Sequence, residues 1–112
     1  MAGLEGVEVK FRVWLVKDGR AILGKGGAEL LKAILETGSI HAAAERLGYS
    51  YSFAWSYLRR IEERTGVKLI ERKRGGQARG GANLTLEGKR LLDLYLKAEE
   101  VVSKALEGLG AI

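Results

Sequence analysis

Two short helices joined by a tight turn are written into residues 39–66, SIHAAAERLGYSYSFAWSYLRRIEERTG. No other stretch restricts the fold as much. Ser39 is placed to cap the first helix, its hydroxyl accepting an orphan backbone N–H of the opening turn. Ile40, Ala43, Ala44 and Leu47 recur at helical spacing and form one apolar stripe of mostly small side chains. Gly48 ends that helix where a positive φ costs least, and Ser50 or Ser52 is placed to cap the next. In the second helix Ala54, Leu58, Ile61 and Thr65 fall on one side, flanked by Tyr51 and Trp55. Ser52, Phe53, Ser56, Arg59 and Arg60 fall on the other. An alanine-rich first helix lets the second cross it closely at a steep angle, as a helix-turn-helix requires. A short polar turn and a cationic outer face suit a helix that enters a DNA major groove. The pattern also fits an ordinary helical hairpin with a solvated charged face, and the flanking sequence has to decide.

Charge placement favours the first reading. The formal net charge is +5, and residues 59–79 alone, with eight Lys or Arg against three Glu, account for all of it. Positive charge gathered beside the second helix is the footprint of a polyanion-binding surface. A solvated loop would explain the amount of charge but not its position. Other functions find little support. With no cysteine there is neither a disulfide framework nor a thiolate metal site, and the single histidine, His41, cannot build a metal cluster or a triad. Glu62-Glu63 reads as a solvated helix face rather than an acid/base pair. No catalytic residue, metal site or cofactor is therefore assigned, and an enzyme is not expected. There is no apolar run long enough to span a membrane, and acids stand where a signal peptide carries bases. The expectation is a cytoplasmic protein, with residues 1–112 forming one domain.

Ahead of the helical pair, residues 7–17 alternate Val7, Val9, Phe11, Val13 and Leu15 with Glu8, Lys10, Arg12 and Trp14. A period of two predicts a half-buried strand. Asp18-Gly19 is a hairpin turn signal, so residues 7–23 read as a β-hairpin that serves packing or dimerisation. Trp14 and Val16 lie off its main apolar row and need a second cover, such as a partner subunit. Gly24-Lys25-Gly26-Gly27 lacks the spacing of a phosphate-binding loop and reads as a connection into a helix over 28–36. That helix buries Leu30, Leu31, Ile34 and Leu35, completing a three-helix core over 28–65.

Behind the pair, Val67-Lys68-Leu69-Ile70 turns basic and leads into a glycine-rich loop carrying Lys73, Arg74, Gln77 and Arg79, from which Asn83-Leu84-Thr85 returns. Strand, loop and strand after a recognition helix make a wing over 67–85, whose cations and free N–H groups suit phosphates or a minor groove. The other reading is a floppy surface linker. Thr85 is placed to cap a long helix over 86–108, about 33 Å at 1.5 Å per residue. Its apolar stripe is wider than one core needs, so Leu91, Leu94, Tyr95, Ala98, Val101, Val102, Ala105 and Leu106 are assigned to a dimer interface. A helix folded back over its own domain is the competing arrangement.

The runs GSIHAAAERLGYSYSFAW and GVKLIERKRGGQARGGANLTLEGKRLLDLY resemble the N-terminal DNA-binding domain of ModE-type molybdenum-responsive regulators, which share the LysR-type winged-helix arrangement. The matching elements are Gly38-Ser39-Ile40, Ala43-Ala44, Gly48, Ser50-Tyr51, Ala54-Trp55, Glu71-Arg72, the glycine-rich wing, and Leu84-Thr85 with Gly88. Together they cover the chain from about Leu15 to Tyr95. The resemblance implies an α+β, mainly α fold: a winged helix-turn-helix with an N-terminal β-hairpin and a long C-terminal dimerisation helix. It implies a homodimer that binds operator DNA and regulates transcription, with residues 50–60 as recognition helix and 75–81 as wing tip. Ser52, Ser56, Arg59 and Arg60 would then face the major groove, with Phe53 and Tyr57 placed for apolar or phosphate contacts, Ser39 and Ser50 also DNA-binding, and Lys73, Arg74, Gln77 and Arg79 on the flanking backbone or minor groove. ModE-type regulators usually continue into molybdate-binding domains, and this sequence stops at Ile112, so sensing of molybdate or another oxyanion is not expected of it. The alternative to DNA binding is a winged-helix module for protein interaction or RNA binding.

Overall fold

Gly26 and Gly27 lie inside the first helix rather than ahead of it. In the computed structural model, which describes residues 3–72 and 81–110, helix α1 spans Lys25–Thr37, earlier than the predicted start at residue 28. The reason is packing. A Cβ on Gly27 would stand 2.6 Å from Leu23 Cδ1, and one on Gly26 would stand 2.9 Å from Tyr57 Oη. The two glycines let the first turn press against its neighbours, and that packing outweighs their poor helix propensity.

Strands β1 (Leu15–Lys17) and β2 (Arg20–Leu23) precede α1. They pair antiparallel through the Asp18-Gly19 turn, both of whose φ angles are positive, 50° and 78°. That is the combination a two-residue hairpin favours. The strand predicted from residue 7 is corrected: pairing begins only at Leu15. Val7, Val9 and Phe11 are exposed, and only Val13 and Leu15 of the expected row pack on the core. A period of two makes a strand only where a neighbouring chain supplies hydrogen bonds, and none of the described residues forms a ladder with 7–14.

Helices α2 (Ile40–Leu47) and α3 (Tyr51–Thr65) form the predicted pair. Ser39 accepts the Ala42 N–H and Ser50, not Ser52, accepts the Phe53 N–H. Gly48, at φ 74°, makes the left-handed turn between them. Ala43, Ala44 and Ala54 are at most 1% exposed, small side chains buried where α2 and α3 pack together. Strands β3 (Ile70–Arg72) and β4 (Ala82–Leu84) pair antiparallel in the register Ile70↔Leu84 and Arg72↔Ala82, and the Ala82 N–H reaches the Gly38 carbonyl at 2.9 Å. The wing base is thereby tied to the α1–α2 junction. Helix α4 (Leu86–Glu107) follows, capped by Thr85.

One core joins these elements: Leu30, Leu31 and Ile34 from α1, Ile40 from α2, Leu58 and Ile61 from α3, Leu69 and Leu84 from the wing base, and Leu92 and Tyr95 from α4. Each large apolar side chain so buried contributes about 1.5–3 kcal/mol. Leu35, expected in the core, is 49% exposed. It lies beside Leu96 on a shallow apolar face between α1 and α4.

Candidate nucleic-acid interface

Helix α3 is anchored by its inner face, which sets what its outer face can present. Ala54, Leu58, Ile61 and Thr65 are buried. On a helix of 3.6 residues per turn the side opposite them carries Ser52, Ser56 and Glu63, all exposed. Arg59 flanks this face on one side, and Phe53 and Arg60 on the other.

The Arg59 flank adjoins the wing. Trp55, half-buried, lies with its ring 4.7 Å from the Arg72 guanidinium and 5.8 Å from that of Arg59. Tyr51 meets the same indole edge-on, its ring centroid 6.3 Å away. Cations over an indole face gain about 0.5–1 kcal/mol at exposed sites and, more to the point, lose freedom. The Trp55 indole N–H is buried with no hydrogen-bond partner among the described residues, so packing and its cationic neighbours hold this ring. Strand alternation explains Arg72: it follows Ile70 on the core-facing side of β3, and at the strand end that side looks onto Trp55.

A carboxylate fixes the wing base. Glu62 Oε2 accepts the N–H groups of Leu69 at 2.8 Å and Ile70 at 3.3 Å. Thr85 adds a second tie, its hydroxyl donating to the Lys68 carbonyl at 2.7 Å and its N–H to that of Leu69 at 2.9 Å. The expectation of a solvated Glu62-Glu63 pair therefore holds for Glu63 only.

The other flank of α3 meets the N-terminal hairpin. Tyr49, Phe53 and Tyr57 step along it with ring centroids 4.9 and 6.0 Å apart. Tyr57, expected at the groove, is half-buried against Gly26 and Gly27. Burial, chiefly, pushes its hydroxyl pKa above 10.0, with Tyr49 nearby adding to the effect and Arg60 opposing it. Arg60 lies 5.8 Å from the Tyr57 ring. Arg64 donates to the Ala21 carbonyl at 2.9 Å, and the Lys17 ammonium donates to the Thr65 carbonyl.

Of the residues assigned from sequence, Ser52, Phe53, Ser56, Arg59 and Arg60 share the exposed side of α3, next to the wing base. No ion pair among the described residues involves either arginine. Ser39 and Ser50 have their hydroxyls engaged as caps. Lys73, Arg74, Gln77 and Arg79 lie outside the described residues. Trp55, Arg72 and Glu62 were missed as organisers of the site. The i, i+4 spacing of Trp55 and Arg59 and the alternation of Ile70 with Arg72 were the available signals.

The dimer assignment needs correction on α4. Two seams run along this helix at alternating spacings of three and four. The inner one, Gly88, Leu92, Tyr95, Glu99, Val102 and Leu106, is buried or half-buried. Tyr95 is 2% exposed and belongs to the core of its own chain, its hydroxyl donating to Glu99 Oε2 at 3.3 Å. It is not available to a partner. Val102 and Leu106 lie on the same inner seam. The outer seam, Leu91, Leu94, Ala98, Val101 and Ala105, has Leu94 57% and Val101 67% exposed. Among the described residues no group of His, Cys, Asp or Glu is placed to hold a metal, and no helix is long and apolar enough to cross a membrane.

Comparison with known proteins agrees with this architecture. Residues 27–89 match the family model of bacterial regulatory helix-turn-helix proteins, lysR family. The transcriptional regulator ModE of Yersinia pestis is 40% identical over 80 residues, which is 71% of this chain and 30% of that protein. The molybdenum-pterin-binding protein MopB of Rhodobacter capsulatus is 38% identical over 86 residues, 77% of this chain and 32% of that one. The chain thus spans about a third of the length of these curated relatives, and its matching region is homologous to theirs. Among solved structures, the DNA-binding domain of CbnR in complex with DNA superposes with a TM-score of 0.56 at 27% identity, covering 70% of this chain and 84% of that one.

Proposed function

The chain belongs to the lysR family of bacterial regulatory helix-turn-helix proteins, and from that premise we propose that it is a homodimeric transcription regulator that binds double-stranded DNA by sequence. The observation that carries this reading is the exposed serine–arginine side of α3 next to a wing base whose Arg72 is held on Trp55. An α-helix with its side chains is about 10–12 Å across and the major groove about 12 Å wide, so α3 fits with that side inward. Ser52, Ser56, Arg59 and Arg60 then reach base edges, as hydroxyl and guanidinium groups do. Phe53 makes apolar contact, and the wing, with Lys73, Arg74, Gln77 and Arg79, lies along the adjoining backbone or minor groove. Ser39 and Ser50 act by capping α2 and α3, which aims both N-termini. The CbnR domain, similar in fold, is described in a complex with DNA, and ModE is described as a transcriptional regulator.

Leu94, Ala98, Val101 and Ala105 supply the dimer seam in this reading, with two-fold symmetry placing half-sites about one helical turn, about 34–36 Å, or a multiple apart. The protein would act in the cytoplasm, where bacterial DNA lies. The test is selection of binding sites from random duplexes, followed by titration of the winner, an unrelated duplex and a structured RNA. The expected outcome is an inverted repeat preferred over both competitors, with Arg59→Ala/Arg60→Ala weakening that preference by about 1–3 kcal/mol for each base edge no longer read. Equal binding of RNA and duplex, or an unaltered preference in the double variant, would refute the assignment.

A further inference from the structure

The flank of α3 away from the wing carries a second cationic surface, built partly from residues ahead of the 27–89 family match. Two adjoining hollows share Ala21, Gly24 and Tyr57 as their common floor. Arg60 and Arg64 edge the first. Arg12, Trp14 and Lys25 edge the second, an open groove of about 530 Å³. Four cations thus converge from three parts of the chain: the N-terminal segment, the first turn of α1, and α3. Among the described residues no carboxylate lines either hollow, the first turn of α1 contains no acid, and none of the four cations is in an ion pair. Two of the cations are also positioned, Arg64 by its bond to the Ala21 carbonyl and Arg60 by the Tyr57 ring.

We propose that this groove receives the phosphodiester backbone of duplex DNA, and that the N-terminal segment around Arg12 and the first turn of α1 are therefore part of the DNA-binding surface. The inference rests on the reading of α3 as the helix that enters the major groove. A helix that fills a groove of its own width has a phosphate wall against each flank. The wing base, with Arg72, faces one wall. Arg12, Lys25 and Arg64 face the other, where backbone contacts fix register without reading sequence, while Arg60, at the inner edge of this surface, keeps its place towards the base edges. Tyr57 in this arrangement is the floor that joins the two hollows.

The test compares the full chain with Arg12→Gln/Lys25→Gln on the selected duplex and on an unrelated one, by fluorescence anisotropy across a salt series. Both side chains are exposed, and a thermal melt matching wild type verifies the fold. The expected result is weaker binding of both duplexes by the same factor. The slope of log K against log salt should be shallower by about 0.9 for each phosphate left without its cation, about 1.8 for the pair. Arg12→Lys with Lys25 intact should keep the wild-type slope. A double variant with the wild-type slope overturns the proposal while leaving the α3 reading in place, as does a weakening confined to the selected duplex. If wild type prefers no duplex at all, the α3 reading itself fails and this inference with it.

Discussion

Replacing Gly88 with alanine probes the close approach that holds the wing and α4 together. Gly88 is buried in the first turn of α4, where its N–H donates to Thr85 Oγ1 at 3.0 Å. By helix propensity alone, alanine should stabilise this position by about 1 kcal/mol. The surroundings reverse the sign. An added Cβ would stand 2.4 Å from the Leu69 carbonyl oxygen and 3.3 Å from Leu84 Cβ. The first of these atoms is backbone, and its carbonyl already accepts the Thr85 N–H at 2.9 Å, so it cannot rotate away as a side chain would. Relief requires α4 and the segment leading into β3 to separate, which adds the strain of overpacking, about 1–3 kcal/mol, to a weakened hydrogen bond of about 1 kcal/mol. Set against the propensity gain, Gly88→Ala should cost about 1–3 kcal/mol. For a domain of about 100 residues each kcal/mol lowers Tm by about 4–8 °C, so calorimetry or a circular-dichroism melt should show a drop of at least about 4 °C. A Tm equal to or above wild type would mean that helix and strand do not approach as closely as described, and the reasoning would fail.

Two further substitutions address the other supports of the site. Glu62→Ala leaves the buried Leu69 N–H and its neighbour without an acceptor and should cost about 1–3 kcal/mol in urea unfolding, with Glu62→Gln, which keeps one acceptor, costing less; equal stability of all three proteins would show that the carboxylate does not hold the wing base. Leu94→Glu/Val101→Glu should give a monomer in sedimentation equilibrium with unchanged helical content, since both positions are exposed on the outer seam; a persisting dimer would place the interface elsewhere.

The helix-turn-helix pair was legible because its determinants are local. Ser39, Gly48 and Ser50 act on residues within a turn of themselves, and the structure shows each in its expected part, with Ala43, Ala44 and Ala54 buried. What the sequence hid depends on distant neighbours. Period-two alternation in residues 7–13 says which sides alternate but not whether a strand lies alongside. Gly26 and Gly27 look like a break until Leu23 and Tyr57 are seen against them. Glu62 looks solvated until the chain returns at Leu69. On α4, composition identified an apolar stripe too wide for one core, yet only the burial of Leu92 and Tyr95 in the shared core separates the inner seam from the outer one.

That separation bears on how a dimer would measure DNA. The inner seam begins at Gly88, against the wing base, and continues through Leu92 and Tyr95 into the shared core, where α4 packs on α1. The outer seam lies on the same helix, one residue before each inner position from Leu92 onward. A 22-residue helix is a rod of about 33 Å, and side chains on its two seams cannot move independently. In the proposed dimer, the wing base, the shared core and the partner surface are therefore all referred to one rigid element. The spacing between the two recognition helices follows from where the outer seams cross, not from any flexible linker. An insertion of one residue in the middle of α4 turns the distal seam by about 100° relative to the proximal one and should abolish binding to a paired site while leaving the binding of an isolated half-site intact.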